Sequence, residues 1–127
     1  METSKKASTQ RQLQAAITHC QKGELDCAIT LSAAAEGMLP GTDDPYLFKS
    51  LRAHASAEGL DFNLVINWLK HPGDPETATL SEFEATIVIA RAITKFVAVH
   101  HQSCKTFEAF LRWGHQEGHL PRLFSEE

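Results

Sequence analysis

The stretch SEFEATIVIARAITKFVAVH, residues 81–100, decides the fold class of this chain. Ser81 followed by Glu84 is the pattern of a capping box, which begins a helix. Only Glu84, Arg91 and Lys95 leave a polar strip on the segment, so it predicts the most buried helix of the molecule, with that strip in solvent. If two copies pair along this helix, Arg91 lines their interface instead. The apolar side has helical spacing and consists of Phe83, Ile87, Ala90, Ile93, Phe96, Val97 and His100.

The segments on either side of this stretch are also helical in pattern. A face of small side chains at residues 33–35 lets a neighbouring helix approach closely, so the first two helices should form an antiparallel hairpin. No segment alternates with the period of a β-strand. The sequence therefore predicts an all-α fold, a compact antiparallel helical bundle of five to six helices. The predicted helices cover residues 9–21, 25–39, 46–55, 64–69, 83–100 and 103–113.

The length of 127 residues suits one domain. We expect a disordered N-terminal arm over residues 1–9, a single helical-bundle domain over residues 10–120 and a C-terminal tail over residues 121–127.

Composition narrows the class of protein further. Hydrophobic residues make up 43% of the chain, a value typical of a globular protein. The formal net charge of −4 argues against an extended surface for nucleic acid. The N-terminus lacks an apolar signal segment, and no apolar run approaches the roughly 20 residues that span a bilayer. The cysteines are three in number and widely spaced, as in a reducing compartment. We expect a cytoplasmic protein that does not enter a membrane.

The segment NWLKH, residues 67–71, is the first candidate for a polar site. Asn67 and His71 are four residues apart and so share one helix face, while Lys70 adds a cation. Arg52, on the short third helix, is a further candidate that could face this element across a cleft. The alternative is an ordinary helix C-terminus, where Lys and His complement the helix dipole.

Three segments together resemble bacterial HEPN-like helical-bundle proteins of uncharacterised function. They are AITLSAAAE at residues 28–36, NWLKH at residues 67–71 and FEATIVIARAI at residues 83–93, and the resemblance covers most of residues 10–113. It implies an antiparallel α-bundle that is often dimeric. It also implies one of two activities, because many HEPN domains are ribonuclease toxins and others are non-catalytic binding modules.

Catalytic HEPN domains carry an arginine followed, after four to six residues, by a histidine. A cation there holds the scissile phosphate, and an imidazole moves the proton of the 2′-hydroxyl. NWLKH contains no arginine, and Lys70 offers a point charge in place of a bidentate fork. Arg112 and His119 match the spacing formally, but glycines lie between them, so they are weaker candidates.

The remaining histidines do not assemble a metal site in the sequence. His115 and His119 have a spacing that binds zinc on a helix, but flanking glycines weaken that helix. His100 and His101 are adjacent and so point in different directions. The chain also lacks a phosphate-binding glycine loop and a nucleophile elbow. We expect no metal and no cofactor.

Two functions remain open on these grounds. The first is a binding or interaction module, an accessory or antitoxin-like component that forms a homodimer and meets a protein partner. The second is a divergent, metal-independent HEPN-type ribonuclease that uses His71 with Lys70 and Asn67, or His119 with Arg112. RNA is not indicated by the net charge.

Overall fold

The computed structural model describes residues 1–41 and 62–121 of the chain. These residues form helices and no strand, so the predicted all-α bundle is confirmed. No helix in these two ranges has the length and apolarity to cross a membrane. The predicted helix over residues 46–55, and Arg52 with it, lie outside the described residues. The helices are α1 (Lys5–Gln21), α2 (Leu25–Met38), α3 (Phe62–Lys70), α4 (Glu82–His100) and α5 (Lys105–Gln116).

Helix α4 is the centre of the bundle, as its sequence predicts. It packs against α1, α2 and α5, and every side chain from Ala85 to Ala90 is buried. A helix that is apolar on nearly all sides is stable only where other elements surround it. The predicted capping box is present, because the Glu84 N–H donates to Ser81 Oγ and the Ser81 N–H donates to Glu84 Oε1, both at 3.1 Å.

The polar strip of α4 is not simply solvated, and this corrects the sequence-based expectation. Arg91 Nε donates to Glu36 Oε2 at 2.7 Å, and both side chains are only 22% exposed. Lys95 Nζ donates to the main-chain carbonyl of Glu36 at 3.3 Å. This carbonyl lies in the last turn of α2, where carbonyls lack i+4 partners, and it also accepts from the Leu39 N–H at 3.1 Å. The strip therefore fastens the end of α2 to α4.

Helix α1 begins a turn earlier than predicted, so Lys5–Thr9 are helical and do not belong to an arm. The Ser4 side chain caps the helix by accepting from the Ala7 N–H at 3.0 Å. Thr9 is buried, and its hydroxyl donates to the Lys5 carbonyl at 2.6 Å. The start could not be predicted from apolar spacing, because Ser4 is followed by Lys5 and Lys6 and not by apolar residues.

Helix α5 also runs longer than predicted and ends at Gln116 rather than near Trp113. Gly114, which reads as a helix breaker, lies inside the helix and is buried. An ideal Cβ placed on Gly114 would lie 2.5 Å from Leu120 Cδ1, so the absence of a side chain admits Leu120. At the other end of α5, Phe107 packs edge-on against Phe96 with ring centroids 5.5 Å apart. These contacts hold α5 against α4.

Candidate functional site

Helix α3 carries the NWLKH segment and buries only a narrow face. Its buried residues are Phe62 and Ile66, and Phe62 packs edge-on against Phe83 of α4 with ring centroids 6.0 Å apart. Leu64, by contrast, is 68% exposed. Helix α3 packs against α2, and its Val65 and Leu69 side chains are partly buried against the core, whereas Asn67 and Lys70 are exposed like Leu64. An apolar side chain on that outer surface is available to another molecule.

The loop after α3 folds back along the end of the helix and makes a groove. The Trp68 indole N–H donates to the Pro75 carbonyl at 2.7 Å, which holds the loop against the helix. The groove has a volume of about 490 Å³. On the helix side it is lined by Leu64, Val65, Asn67, Trp68 and His71, and on the other side by loop residues that include Pro75 and Leu80.

The groove brings together two of the four predicted polar residues. Asn67 and His71 both line it, as their shared helix face predicts, and both are exposed. The His71 backbone N–H donates to the Asn67 carbonyl at 3.1 Å, so the helical hydrogen-bonding pattern continues to the backbone of His71. Lys70 is exposed but is not among the described residues that line the groove. Arg52 lies outside the described residues, and Arg91 pairs with Glu36.

Arg112 and His119, the weaker candidates, have separate surroundings. His119 Nε2 lies 2.8 Å from Glu82 Oε1 at the start of α4. Its ring packs against Phe83 and Trp113, each with centroids 5.8 Å away. Arg112 lies exposed on α5. The position of His119 is that of an anchor, which fastens the turn after α5 to the first turn of α4.

His100, His101 and His115 lie apart from the groove, each with local neighbours. His115 Nδ1 lies 3.3 Å from the Leu120 carbonyl, whereas His119 faces Glu82, so these two histidines have different neighbours. His100 packs on the Phe96 ring with centroids 4.8 Å apart, and His101 ends α4 in the left-handed region with φ of 54°. Across residues 1–41 and 62–121, no three His, Cys, Asp or Glu side chains are placed to hold a metal ion.

A second cleft, which the sequence did not predict, lies between α1 and α5. Its volume is about 620 Å³, and Cys20 of α1 lies at its base with 5% exposure. Burial, with a smaller effect from the Glu82 carboxylate, raises the pKa of the Cys20 thiol. A thiol in that state is a small apolar group rather than a nucleophile. The residues that line this cleft come from three helices, and no local motif joins them.

Comparison with known proteins adds no relative: no family model, no curated protein and no solved structure matches this chain.

Proposed function

We propose that this protein is a HEPN-like interaction module that binds a protein partner through the α3 groove, as an accessory or antitoxin-like component. The observation that carries the proposal is the structure of the groove itself. Leu64 is 68% exposed at its edge, and Trp68 is held in place by its hydrogen bond to Pro75. Exposed aliphatic groups beside a fixed aromatic ring are typical of the anchoring parts of protein interfaces.

The charges around the groove favour protein over nucleic acid. Asp74 and Glu84 line it together with His71, and Lys70 does not line it in the described structure. A surface for a phosphate backbone needs several cations that neutralise phosphates. The net charge of −4 acts in the same direction. An apolar segment of a protein needs no cations in the groove and is not repelled by the negative net charge.

We also propose that the protein is a homodimer in the bacterial cytoplasm. The three cysteines, Cys20, Cys27 and Cys104, are free thiols, which agrees with a reducing compartment. The resemblance to HEPN-like bundles supports both a bacterial origin and the dimer. Sedimentation of the purified protein tests the dimer directly.

The alternative function is a divergent, metal-independent ribonuclease. The observation in its favour is that Asn67 and His71 line the same groove, where an imidazole could act as a general base. In that mechanism Lys70 would have to turn toward the bound phosphate. RNA cleavage by the purified protein that is abolished by His71→Ala would establish this alternative and refute the non-catalytic proposal.

The partner proposal is tested by site-specific photo-crosslinking. A photoreactive residue at position 64 is compared with the same residue at Thr30, an exposed position on α2. We expect a discrete protein adduct from position 64 alone. The adduct protein is then purified and titrated against wild type and Leu64→Asp, and we expect the variant to lose binding. Equal affinity for both, or an adduct consisting only of a second copy of this chain, would overturn the proposal of a separate protein partner.

A further inference from the structure

The cleft between α1 and α5 has the size and lining of a small-molecule site. Its volume of about 620 Å³ lies within the usual range of about 300–1,000 Å³ for ligand pockets. Its central lining is apolar: Ile17 and Cys20 come from α1, and Ala109 and Phe110 come from α5. Trp113 continues this surface, and its ring packs against that of Phe110 with centroids 5.5 Å apart. An elongated apolar body would therefore meet side chains along its length.

The two ends of this cleft differ in charge. Lys105, the first residue of α5, is the only cation among the described residues that line it, and Glu82 is the only carboxylate among them. Glu82 lies toward Trp113, because both contact His119. Lys105 and Trp113 are a little over two turns apart on α5, about 12 Å at 1.5 Å per residue. A ligand with one negative charge at one end is therefore expected to bind with that end at Lys105 and its other end toward Trp113.

The Lys105 end suits an anion for a second reason. It is the N-terminus of α5, a helix of 12 residues, and the N-cap residue Cys104 makes no side-chain capping hydrogen bond in the described structure. The first N–H groups of a helix lack partners within it and carry partial positive charge. Thr106, whose side chain carries a hydroxyl donor, also lines this end. Cation, hydroxyl and helix terminus together match a carboxylate.

We propose that this cleft binds a medium-chain monocarboxylate, with the carboxylate at Lys105 and Thr106 and the alkyl chain along Ile17, Ala109 and Phe110 toward Trp113. The Glu82 carboxylate repels the charged group from the opposite end, so the ligand has one orientation. This site is separate from the α3 groove, and the inference does not depend on the proposed partner.

The test is calorimetric titration of the full chain with decanoate. We expect saturable binding of decanoate. Decanol has the same alkyl chain without the charge, and we expect its affinity to be lower by about ten-fold or more. Lys105→Ala should weaken decanoate binding by a similar factor. Arg112→Ala removes an exposed cation from the same helix outside the described lining, so it is the matched control and should bind as wild type does.

A second variant tests the shape of the cleft. Ala109→Phe adds a ring at an exposed position of α5 that lines the cleft, so it should block decanoate while the circular dichroism spectrum stays unchanged. Absence of saturable binding to the wild type would overturn the proposal. So would equal affinity for decanoate and decanol, or binding that ignores Lys105→Ala, because each marks non-specific adsorption of a surfactant.

Discussion

At the scale of single residues, Gly114 shows how one missing side chain fixes a tertiary contact. It lies inside α5, where glycine ordinarily costs about 0.5–1 kcal/mol relative to alanine. The space at its Cα is filled by Leu120, which is buried beside Thr86. Glycine at this position lowers the stability of α5 itself, but it allows the turn that carries His119 to pack closely against the helix.

We expect Gly114→Ala to lower the free energy of unfolding by about 1–2 kcal/mol. The new Cβ would lie 2.5 Å from Leu120 Cδ1 and 3.2 Å from Thr86 Cγ2, and the cost of overpacking exceeds the gain in propensity. Gly37→Ala, in α2, is the matched control, because its Cβ would meet nothing within 4 Å. It should be neutral or slightly stabilising in urea denaturation. Equal stabilisation by both substitutions would show that Leu120 moves aside without cost.

The Cys20 thiol gives stability a dependence on alkaline pH. Its pKa is raised from 9.0, chiefly by burial, so the folded state holds the proton more tightly than the unfolded state. Its contribution is complete below pH 9.0 and is lost as the pH rises through the raised pKa of the folded protein. We expect Tm to fall less steeply above pH 9.0 in Cys20→Ala than in wild type, as measured by thermal scans. Cys104→Ala, outside the described lining of the cleft, is the control; a slope like that of wild type in both variants would contradict the argument.

At the scale of elements, the junction of α2 with α4 combines apolar packing with one partly buried ion pair. Arg91 and Glu36 lie far apart in sequence, yet their charged groups meet at 2.7 Å, and Lys95 donates to the Glu36 carbonyl. Partial burial reduces the screening of such a pair by solvent.

A double-mutant cycle on Arg91→Ala and Glu36→Ala should give a coupling free energy of about 1 kcal/mol. The matched control is the more exposed pair of His19 and Glu24, with Nδ1 and Oε1 2.8 Å apart, which should couple more weakly. Chemical denaturation of the single and double variants supplies both values. A coupling at Arg91 no larger than that at His19 would mean that the junction rests on apolar packing alone.

The features that the sequence predicts correctly are those that neighbouring residues dictate. The capping box of Ser81 and Glu84 and the apolar period of α4 are contiguous signals, and the structure has both. Gly114 was misread because its effect depends on Leu120, which only the folded chain brings near. The α1–α5 cleft was missed for the same reason: Cys20, Glu82 and Lys105 come from three helices, and nothing in their local spacing brings them together.

At the scale of the whole molecule, burial is concentrated in α4. Its residues 85–90 are almost inaccessible to solvent, whereas residues 71–79, between α3 and α4, are all exposed. Local opening requires less free energy where few apolar contacts are broken.

Amide hydrogen exchange should follow this distribution. We expect the slowest exchange in residues 87–93 of α4 and exchange within seconds to minutes for most amides of residues 73–79, because few of these are held by hydrogen bonds within a helix. Mass spectrometry of peptides from a deuterium time course measures both ranges. Equal protection in the two ranges would show that the loop is held by more than the Trp68 hydrogen bond to Pro75.

Helix α3 is attached to the bundle through one face, on which Phe62 and Ile66 are buried and Val65 and Leu69 are partly buried, whereas α4 is enclosed on nearly every side. Substitutions on the outer face of α3 are therefore expected to alter recognition at little cost to folding, and substitutions in α4 to do the reverse. Such a division favours the evolution of new binding preferences. Substitutions at positions such as Leu64 can change what the protein binds without lowering its stability, while the residues of α4 are constrained by packing. A library randomised at the outer face of α3 should yield mostly folded variants.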